Sequence, residues 1–273
     1  MKRRKIKPRS HAGNDKMKTA LWIIPALAIV AVALFVQRGE IQKRESINQE
    51  TFCAHELQEM TIILIDHSDK LSVIQKAALQ TRLWDIVENL PKNYSQIKIF
   101  SADKINENVL APELVLCNPG SEKEMSRFTE NQKIVRKHYE EKFKKQLDEI
   151  LNAILNKESS SQSPIMEAVQ SVAVTSFIGE KNKRIKKKLI LVSDLLQHTS
   201  DFSVYGGVID FERYKSGNHW KSVKSDLNDV EVELYFLHRD EESKLQNSHL
   251  RDFWIDFFEG QGAKVTRFLP IEG

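Results

Sequence analysis

An apolar stretch that ends in Asp66-His67-Ser68 is the part of this chain whose residue types and spacing point most directly to chemistry. The five residues before it, Thr61–Ile65, are aliphatic or β-branched, a pattern that predicts a buried strand. A carboxylate and a hydroxyl two positions apart, directly after such a strand, lie where open α/β sheets hold ligands. Oxygen ligands of this kind suit a hard cation such as Mg²⁺. A structural interpretation competes with this one, because Asp and Ser also cap the free N–H groups at the start of a helix.

Two further polar residues stand in similar positions. Asp194 comes directly after a second apolar run, Leu189–Ser193, and Ser163 ends a serine cluster just before a predicted helix. The carboxyl ends of parallel strands, and the loops that follow them, meet at one edge of a doubly wound sheet. We therefore expect Asp66, Ser163 and Asp194 to lie close together at this edge.

The elements that must position these side chains alternate between strands and helices. Pro91 ends one predicted helix, and Pro164 occupies the favoured first position of another. Strands are predicted at Thr61–Ile65, Gln96–Phe100, Glu113–Cys117, Leu189–Ser193, Val230–Leu237 and Lys264–Leu269. Helices are predicted at Leu71–Leu90, roughly Glu122–Lys157, from Pro164 onward and at Glu242–Glu259. This order predicts an α/β fold in three layers, built on a doubly wound, mostly parallel, Rossmann-like sheet.

Charge is distributed unevenly along the 273 residues. Residues 1–18 carry eight Lys and Arg and one Asp, so the remainder of the chain is net acidic. The uncharged run Ala20–Val36 would be about 26 Å long as a helix, enough to cross a hydrocarbon core. The positive charge before it predicts a cytoplasmic N-terminus. Cleavage after Ala31-Val32-Ala33, as in a signal peptide, is the competing interpretation, and under either one the body of the protein is exported.

These features predict four segments of the chain. They are a basic cytoplasmic tail (1–18), a transmembrane helix that acts as a signal-anchor (19–36), a stalk or linker (37–59) and one α/β domain (60–273). The predicted location is a single pass through the inner (plasma) membrane, with the domain in the periplasm or outside the cell. The acidic balance of the body is not that of a nucleic-acid-binding protein.

The polar positions, taken with their neighbours, resemble the metal-ion-dependent adhesion site of the von Willebrand factor A (VWA) domain family. That family places an Asp-x-Ser-x-Ser run after its first strand, and Asp66 and Ser68 match the first two positions. Ser163, in Ser-Pro-Ile-Met-Glu-Ala-Val, matches a loop that usually reads Thr-Pro-Leu-x-Glu-Ala-Leu. Asp194, in Ile-Leu-Val-Ser-Asp, matches the aspartate after the fourth strand. The resemblance covers about residues 60–271 and implies a VWA-like fold in which Asp66, Ser68, Ser163 and Asp194 are metal ligands.

Two positions depart from the family pattern. Lys70 stands where the family has the last Ser of the run, and Leu195 follows Asp194 in place of the usual Gly. A Lys70 ammonium in the cation's place would remove the metal. Alternatively, Ser72 reaches into the site, or Lys70 points outward and water fills the vacant ligand position. The resemblance thus implies a Mg²⁺ site that is weak, or absent if Lys70 occupies it.

The resemblance further implies a protein-interaction module and not an enzyme. In the family, a partner's carboxylate can complete the coordination of the metal, so we expect a protein partner at the face of Asp66, Ser163 and Asp194. The predicted anchor suits a bacterial envelope, secretion or conjugation assembly. One alternative is a membrane-tethered hydrolase with Ser68 and His198 among its candidates, although Ser68 lacks the Gly-x-Ser-x-Gly elbow. Another is a structural subunit whose site is vestigial.

The two cysteines, Cys53 and Cys117, have a spacing that fits no metal motif. By the resemblance, the strand Glu113–Cys117 runs antiparallel at the sheet edge, so Cys117 lies on the side where the stalk enters. The resemblance therefore implies a disulfide between Cys53 and Cys117, which an oxidising compartment would permit. The basic run Lys181–Lys188 is interpreted as a solvated turn at this same edge, within reach of anionic lipid headgroups.

Overall fold

The computed structural model describes residues 27–39, 47–48, 50–91, 94–107, 109–119, 132–157, 160–179, 184–207 and 209–271. The chain divides into two compact units, Met1–Ile47 and Asn48–Gly273. The first contains a helix, α1, over residues 27–39. No helix within the described residues has both the length and the apolar character needed to cross a membrane. The predicted span, residues 19–36, begins outside the described part of the chain.

The second unit is built on one six-stranded sheet. Its strands are β1 (Glu59–Ile65), β2 (Ser95–Ser101), β3 (Leu114–Cys117), β4 (Lys186–Ser193), β5 (Val230–Leu237) and β6 (Lys264–Ile271). Their order across the sheet is β3-β2-β1-β4-β5-β6. All neighbouring pairs are parallel except β2 and β3, which are antiparallel. The predicted α/β fold with a mostly parallel sheet is confirmed, and each predicted strand lies within an observed one or differs from it by a residue.

Helices cover both faces of this sheet and complete the three layers. The α-helices of the second unit are α2 (Val73–Glu88), α3 (Gln132–Lys137), α4 (Lys145–Leu155), α5 (Ile165–Val172), α6 (Phe211–Lys215), α7 (Asn218–Val223) and α8 (Ser248–Glu259). A π-helical segment, His138–Lys144, joins α3 to α4, and another, Ala173–Phe177, follows α5. Residues 120–131 of the predicted Glu122–Lys157 helix lie outside the described residues. The helix predicted at Glu242–Glu259 is shorter, because Asn247 caps the N-terminus of α8 with its side chain.

Two apolar cores form, one on each face of the sheet. On the first face, α5, α6, α7 and α8 pack on the strands, with an aromatic group from Phe253, Trp254, Phe257 and Phe258 among the buried residues. On the second face, α2 and α4 pack against Ile63 and Ile65 of β1. Both cores use β1, the central strand, whose last six residues are all buried. The site that follows β1 therefore rests on the most enclosed strand of the sheet.

Not all apolar residues of α2 face the core. Val73 and Ile74, two apolar residues of the predicted helix Leu71–Leu90, are 83% and 66% exposed. The buried stripe consists of Gln75, Leu79, Leu83 and Val87, spaced four residues apart. Ser72 caps the helix, so Val73 and Ile74 are its first two residues, and at 100° per residue they fall well outside the buried stripe. They are surface residues beside the carboxyl edge of the sheet.

The amino edge of the sheet is closed by the disulfide Cys53–Cys117, whose Cα atoms are 4.9 Å apart. The pairing implied by the resemblance is therefore confirmed. Phe52, with a left-handed backbone (φ 59°), is buried in the second core, and the Cys117 N–H donates to the Thr51 carbonyl. Gln58 also donates its N–H to the Tyr94 carbonyl. These contacts attach residues 50–58, part of the predicted linker, to the domain.

The basic run Lys181–Lys188 differs from its interpretation as a turn. Residues 180–183 lie outside the described part, but Lys186, Lys187 and Lys188 are the first residues of β4. Lys188 donates to Glu233 on the neighbouring strand at 3.1 Å. Apolar content alone places the start of β4 at Leu189, because half-buried lysines at the end of a strand carry no hydrophobic signal.

Candidate functional site

Asp66 is the centre of the candidate site and lies one residue past the end of β1. Its side chain is 3% exposed, and its Oδ2 accepts hydrogen bonds from the hydroxyls of Ser163 and Ser193, both at 3.0 Å. The Ser68 hydroxyl donates to the same oxygen at 3.4 Å, and the Ser68 N–H donates to Oδ1 at 3.2 Å. Hydroxyls from three separate segments of the chain therefore converge on one buried carboxylate, as the sheet topology predicts for Ser68 and Ser163.

Asp194 follows β4 and is 1% exposed. Its Oδ1 accepts the Leu196 N–H at 3.0 Å, and its Oδ2 accepts the Nε of Arg239 at 3.3 Å. Leu195, which lies between Asp194 and Leu196 in the chain, has a left-handed backbone (φ 62°), the conformation for which Gly is favoured. Leu195 is nevertheless buried, and its carbonyl accepts the indole N–H of Trp254 at 2.9 Å. The departure from the usual Gly is therefore offset by packing against α8.

The pKa values of both buried carboxyl groups are raised. Burial raises the pKa of Asp66, and hydrogen bonds from the serines around it oppose this rise. Burial and the nearby charge of Asp66 raise the pKa of Asp194 to about 7, while its bonds to the Leu196 N–H and Arg239 act against the increase. Desolvation makes the charged forms of these two carboxyl groups unfavourable in free energy. Binding of a proton or a cation would reduce this penalty.

An open cleft of about 260 Å³ reaches Asp194 and two of the serines bonded to Asp66 from the surface. Its floor includes Ser68, Ser163 and Asp194, and its wall is formed by His198 and the half-exposed Tyr205. Asp69, Ser160, Ser161, Gln162 and Leu196 complete the lining. The loops on its two sides are joined by hydrogen bonds of the backbone, from the N–H of Ser160 to the Ser68 carbonyl and between Ser163 and His198. The result is a polar cleft with a defined shape.

The structure brings Asp66, Ser68 and Ser163 into direct contact and places Asp194 in the same cleft. Lys70 is exposed, and it forms no ion pair with Asp66 or Asp194. Of the three alternatives for this position, the structure has the one in which Lys70 is exposed and does not pair with the two carboxylates. Ser72 does not reach the site either, because its hydroxyl accepts the Gln75 N–H at the start of α2.

Ser193, Arg239 and Gln246 belong to the site but were not among the candidates from the sequence. Ser193 is the last residue of β4, and Arg239 lies two residues past the end of β5. Gln246 donates through its Nε2 to the carbonyls of Asp194, at 3.0 Å, and Leu237, at 2.9 Å. The signal that identified Asp66 and Asp194, a polar residue just after a buried strand, applies equally to Arg239.

His67 does not line the cleft, and its side chain instead contacts residues at the end of β2. Its Nε2 lies 3.0 Å from the Ser101 hydroxyl and 3.3 Å from Asp103 Oδ1, and Asp103 also pairs with Lys157. Its buried Nδ1 has no hydrogen-bond partner among the described residues. Burial lowers the pKa of His67, which favours a neutral ring. The imidazole thus connects the loop after β1 to the end of β2.

Glu167, which the motif after Ser163 contains, holds the segment that follows β4. Its Oε2 accepts from Gln197 at 2.9 Å, and its Oε1 lies 2.8 Å from His219 Nε2. The hydrogen bonds from these groups lower the pKa of Glu167 despite its burial. Through Glu167, α5 fixes the position of both the cleft wall and α7.

The arrangement lacks the pairing that a serine hydrolase needs. The Ser68 hydroxyl bonds to Asp66, His67 bonds to Ser101, and His198 Nδ1 lies 2.9 Å from the Ser203 hydroxyl. Neither of these histidines is hydrogen-bonded to Ser68, so no imidazole among the described residues is positioned to accept its proton.

A hard cation fits the oxygen atoms around Asp66. Because the hydroxyls of Ser68 and Ser163 direct their protons to Asp66, their lone pairs stay available as ligands. Carboxylate and hydroxyl oxygens are the donors that Mg²⁺ accepts. Among the described residues, no group of three or more His, Cys, Asp and Glu could hold a metal, so the hydroxyls are essential to any such site.

No protein-family model matches this sequence, and no curated protein matches it. Among solved structures, the chain is similar to the conserved hypothetical protein BatB from Bacteroides thetaiotaomicron, with 10% identity and a TM-score of 0.37 over 79% of this chain and 90% of that one. It is also similar to an aerotolerance-related membrane protein from Bacteroides fragilis, with 12% identity and a TM-score of 0.36 over 78% and 90% of the two chains. Proximal thread matrix protein 1 from the mussel byssus, with a zinc-occupied MIDAS motif, matches at 12% identity and a TM-score of 0.37. That match covers 79% of this chain but only 45% of the mussel chain. Similarities at this level do not assign the chain to a family, and the function is inferred from the geometry of the site itself.

Proposed function

We propose that the domain is a VWA-like protein-interaction module that binds a protein partner at the cleft over Asp66, Ser68, Ser163 and Asp194. The observation that carries this proposal is the convergence of three serine hydroxyls on the buried Asp66 carboxylate, with two of these serines, Ser68 and Ser163, lining an open cleft. Such a group of fixed oxygens suits binding, and His67 and His198 are hydrogen-bonded to Ser101 and Ser203 rather than to Ser68. The proposal is therefore one of recognition and not of catalysis.

The proposed ligands of a Mg²⁺ ion are the same four residues, with Asp66, Ser68 and Ser163 as the donors that fit best. When bound, the ion would supply a positive charge on which a carboxylate of the partner could dock. The chain's own contribution is to hold the hydroxyl oxygens in place through their hydrogen bonds to Asp66. Asp194 already contacts Arg239 through one carboxylate oxygen.

We propose further that the protein is anchored in the inner (plasma) membrane by residues 19–36. In this arrangement residues 1–18 are cytoplasmic, residues 37–59 form the linker, and the domain 60–273 lies in the periplasm or outside the cell. The concentration of positive charge in residues 1–18 supports this orientation. The disulfide Cys53–Cys117 supports an oxidising compartment for the domain. An envelope, secretion or conjugation assembly would provide the partner.

The test is photo-crosslinking of the full-length protein in its native membrane. A photoreactive amino acid replaces Tyr205, on the wall of the cleft, or Tyr94, at the opposite edge of the sheet and 40% exposed. We expect a discrete protein adduct from position 205 and not from position 94. The adduct should disappear when Asp66→Asn is added, because the amide keeps the side-chain volume and removes the charge.

Two results would argue against the proposed function. Equal adducts from positions 205 and 94 would mean that the cleft is not the docking face. An adduct that survives both Asp66→Asn and Ser163→Ala, in variants that fold as the wild type does by circular dichroism, would mean that the site is vestigial.

A further inference from the structure

Arg239 forms an ion pair with Asp194 of the cleft, and all three of its guanidinium nitrogens donate hydrogen bonds. Nε donates to Asp194 Oδ2 at 3.3 Å, Nη1 to the Lys70 carbonyl at 2.7 Å, and Nη2 to the Asp69 carbonyl at 3.3 Å. The side chain is 13% exposed. One guanidinium thus joins the segment after β5 to the loops that follow β1 and β4.

The position of Arg239 is itself fixed by the fold. Its N–H donates to Gln246 Oε1 at 2.7 Å, and the Nε2 of Gln246 donates to the carbonyls of Asp194 and Leu237. A guanidinium is planar, remains protonated in proteins and presents its donors in a rigid fork. Because both its backbone and its donors are held, Arg239 is organised for this place before any ligand arrives.

We propose that Arg239 is the resident cation of the site: it holds the loop after β1 in place without a metal and lowers the affinity of the site for divalent cations. This inference concerns the same cleft as the proposed function, and it names the residue that controls which cations that cleft accepts. Two features of the contacts carry it. One oxygen of Asp194 accepts the Nε of Arg239, and the two remaining guanidinium nitrogens each donate to a backbone carbonyl, of Lys70 and of Asp69.

The charges around the cleft also favour a site that is stable without a metal and binds divalent cations weakly. Asp66 is satisfied by three hydroxyls and Asp194 by a backbone N–H and Arg239, so each buried carboxylate is stabilised by groups of the chain itself. A divalent ion that binds here would be repelled by the guanidinium in a partly desolvated environment. The metal would therefore bind more weakly than to the same oxygens without Arg239, and the loop would not depend on it.

The experiment measures binding of Mn²⁺ alone to the full-length protein by electron paramagnetic resonance, together with thermal unfolding in EDTA and in excess MnCl₂. For the wild type we expect weak Mn²⁺ binding and the same melting temperature in both solutions. Arg239→Gln should bind Mn²⁺ at least about tenfold more tightly, because one unit of repelling charge is gone. In EDTA it should melt at a lower temperature than the wild type, and MnCl₂ should recover part of the loss.

Two further variants separate the effects of charge and shape. Arg239→Lys keeps the repelling charge but lacks the fork, so it should lose stability in EDTA without gaining Mn²⁺ affinity. Arg82→Gln removes an exposed arginine of α2 and should match the wild type in every measurement. Asp66→Asn added to Arg239→Gln should abolish the gained affinity, which places the ion at this site.

The proposal is overturned if Arg239→Gln binds Mn²⁺ no more tightly than the wild type and Arg82→Gln. It is also overturned if the wild type binds Mn²⁺ tightly and melts at a markedly higher temperature with it than in EDTA, a result that needs no variant to fold. Either outcome leaves the protein-binding proposal intact, because crosslinking at position 205 does not use the metal measurement. Loss of the crosslink would, conversely, leave the Mn²⁺ result unaffected.

Discussion

Removing the disulfide between Cys53 and Cys117 should lower the free energy of unfolding of the domain by an amount that depends on the length of the chain loop that the bond closes. The bridge joins residues 64 positions apart and encloses β1, α2, β2 and β3. On the chain-entropy relation, closing a loop of this length in the unfolded chain is worth about 4 kcal/mol at 25 °C. For a domain of this size, each kcal/mol shifts the melting temperature by roughly 2–4 °C, so the expected decrease is about 8–16 °C.

The assay is thermal unfolding, followed by circular dichroism, of the full-length protein and of a variant that carries Cys53→Ala and Cys117→Ala. Both sulfur atoms are in buried residues, so the substitutions also remove a little packing. A sample of the wild type that is reduced while unfolded and then refolded in the reductant loses only the cross-link. It therefore separates the effect of the cross-link from the effect of the lost packing. We expect it to melt within a few degrees of the double variant, and both well below the oxidised wild type.

Two outcomes would refute this reasoning. Mass spectrometry of native protein alkylated without a reductant could find both cysteines modified, which would mean that the bond is not formed. Alternatively, the double variant could melt together with the oxidised wild type. In that case the segment around Cys53 would already be held by its hydrogen bonds and by the buried Phe52, and the cross-link would add nothing.

Three other predictions concern the carboxyl edge and α2. The raised pKa of Asp194, about 7, means that the folded state binds more protons than the unfolded state between roughly pH 4 and pH 7. Its contribution to stability in EDTA should therefore decrease as the pH rises through this range, and urea unfolding of Asp194→Asn should show a flatter pH profile than the wild type. Leu83→Ala should cost about 2–5 kcal/mol in the same assay, because Leu83 is fully buried, whereas Val73→Ala at an exposed position should cost almost nothing; a large loss for Val73→Ala would contradict the exposed assignment. Ser72→Ala should cost about 1 kcal/mol through loss of the cap on α2, and Ser72→Asn should restore most of it.

The sequence predicts the sheet and the meeting point of three site residues because both depend on strong, local patterns. Buried parallel strands appear as short aliphatic runs, and the residues after them must share one edge. Asp66 and Ser163 are 97 residues apart and still form a hydrogen bond at 3.0 Å. Topology alone was sufficient to bring them together.

The parts that the sequence did not predict depend on side-chain reach and on helix phase. Arg239 follows a buried strand as Asp66 and Asp194 do, but its contacts with Asp194 and the Lys70 carbonyl across two loops depend on the reach of its side chain. Val73 and Ile74 fit an apolar helical period as well as Leu79 does, but the position of the Ser72 cap sets which face is buried. The role of Lys70 was uncertain for the same reason, because the direction of a long side chain in a loop depends on its neighbours.

The disulfide at the amino edge also determines how the domain carries mechanical load. Tension applied to the chain before Asn48 reaches Cys53 before it reaches β1, because the cysteine precedes that strand. Part of the force then passes through the covalent bond to Cys117 on β3, and the rest continues along residues 54–58 to β1. A pull from the N-terminal side is thus divided between an edge strand and the central strand, and it enters at the edge of the sheet opposite the cleft. A ligand held over Asp66 would therefore load β1 along its own backbone, whereas the share of force that enters at β3 would reach β1 through the hydrogen bonds of the β2–β3 and β1–β2 ladders.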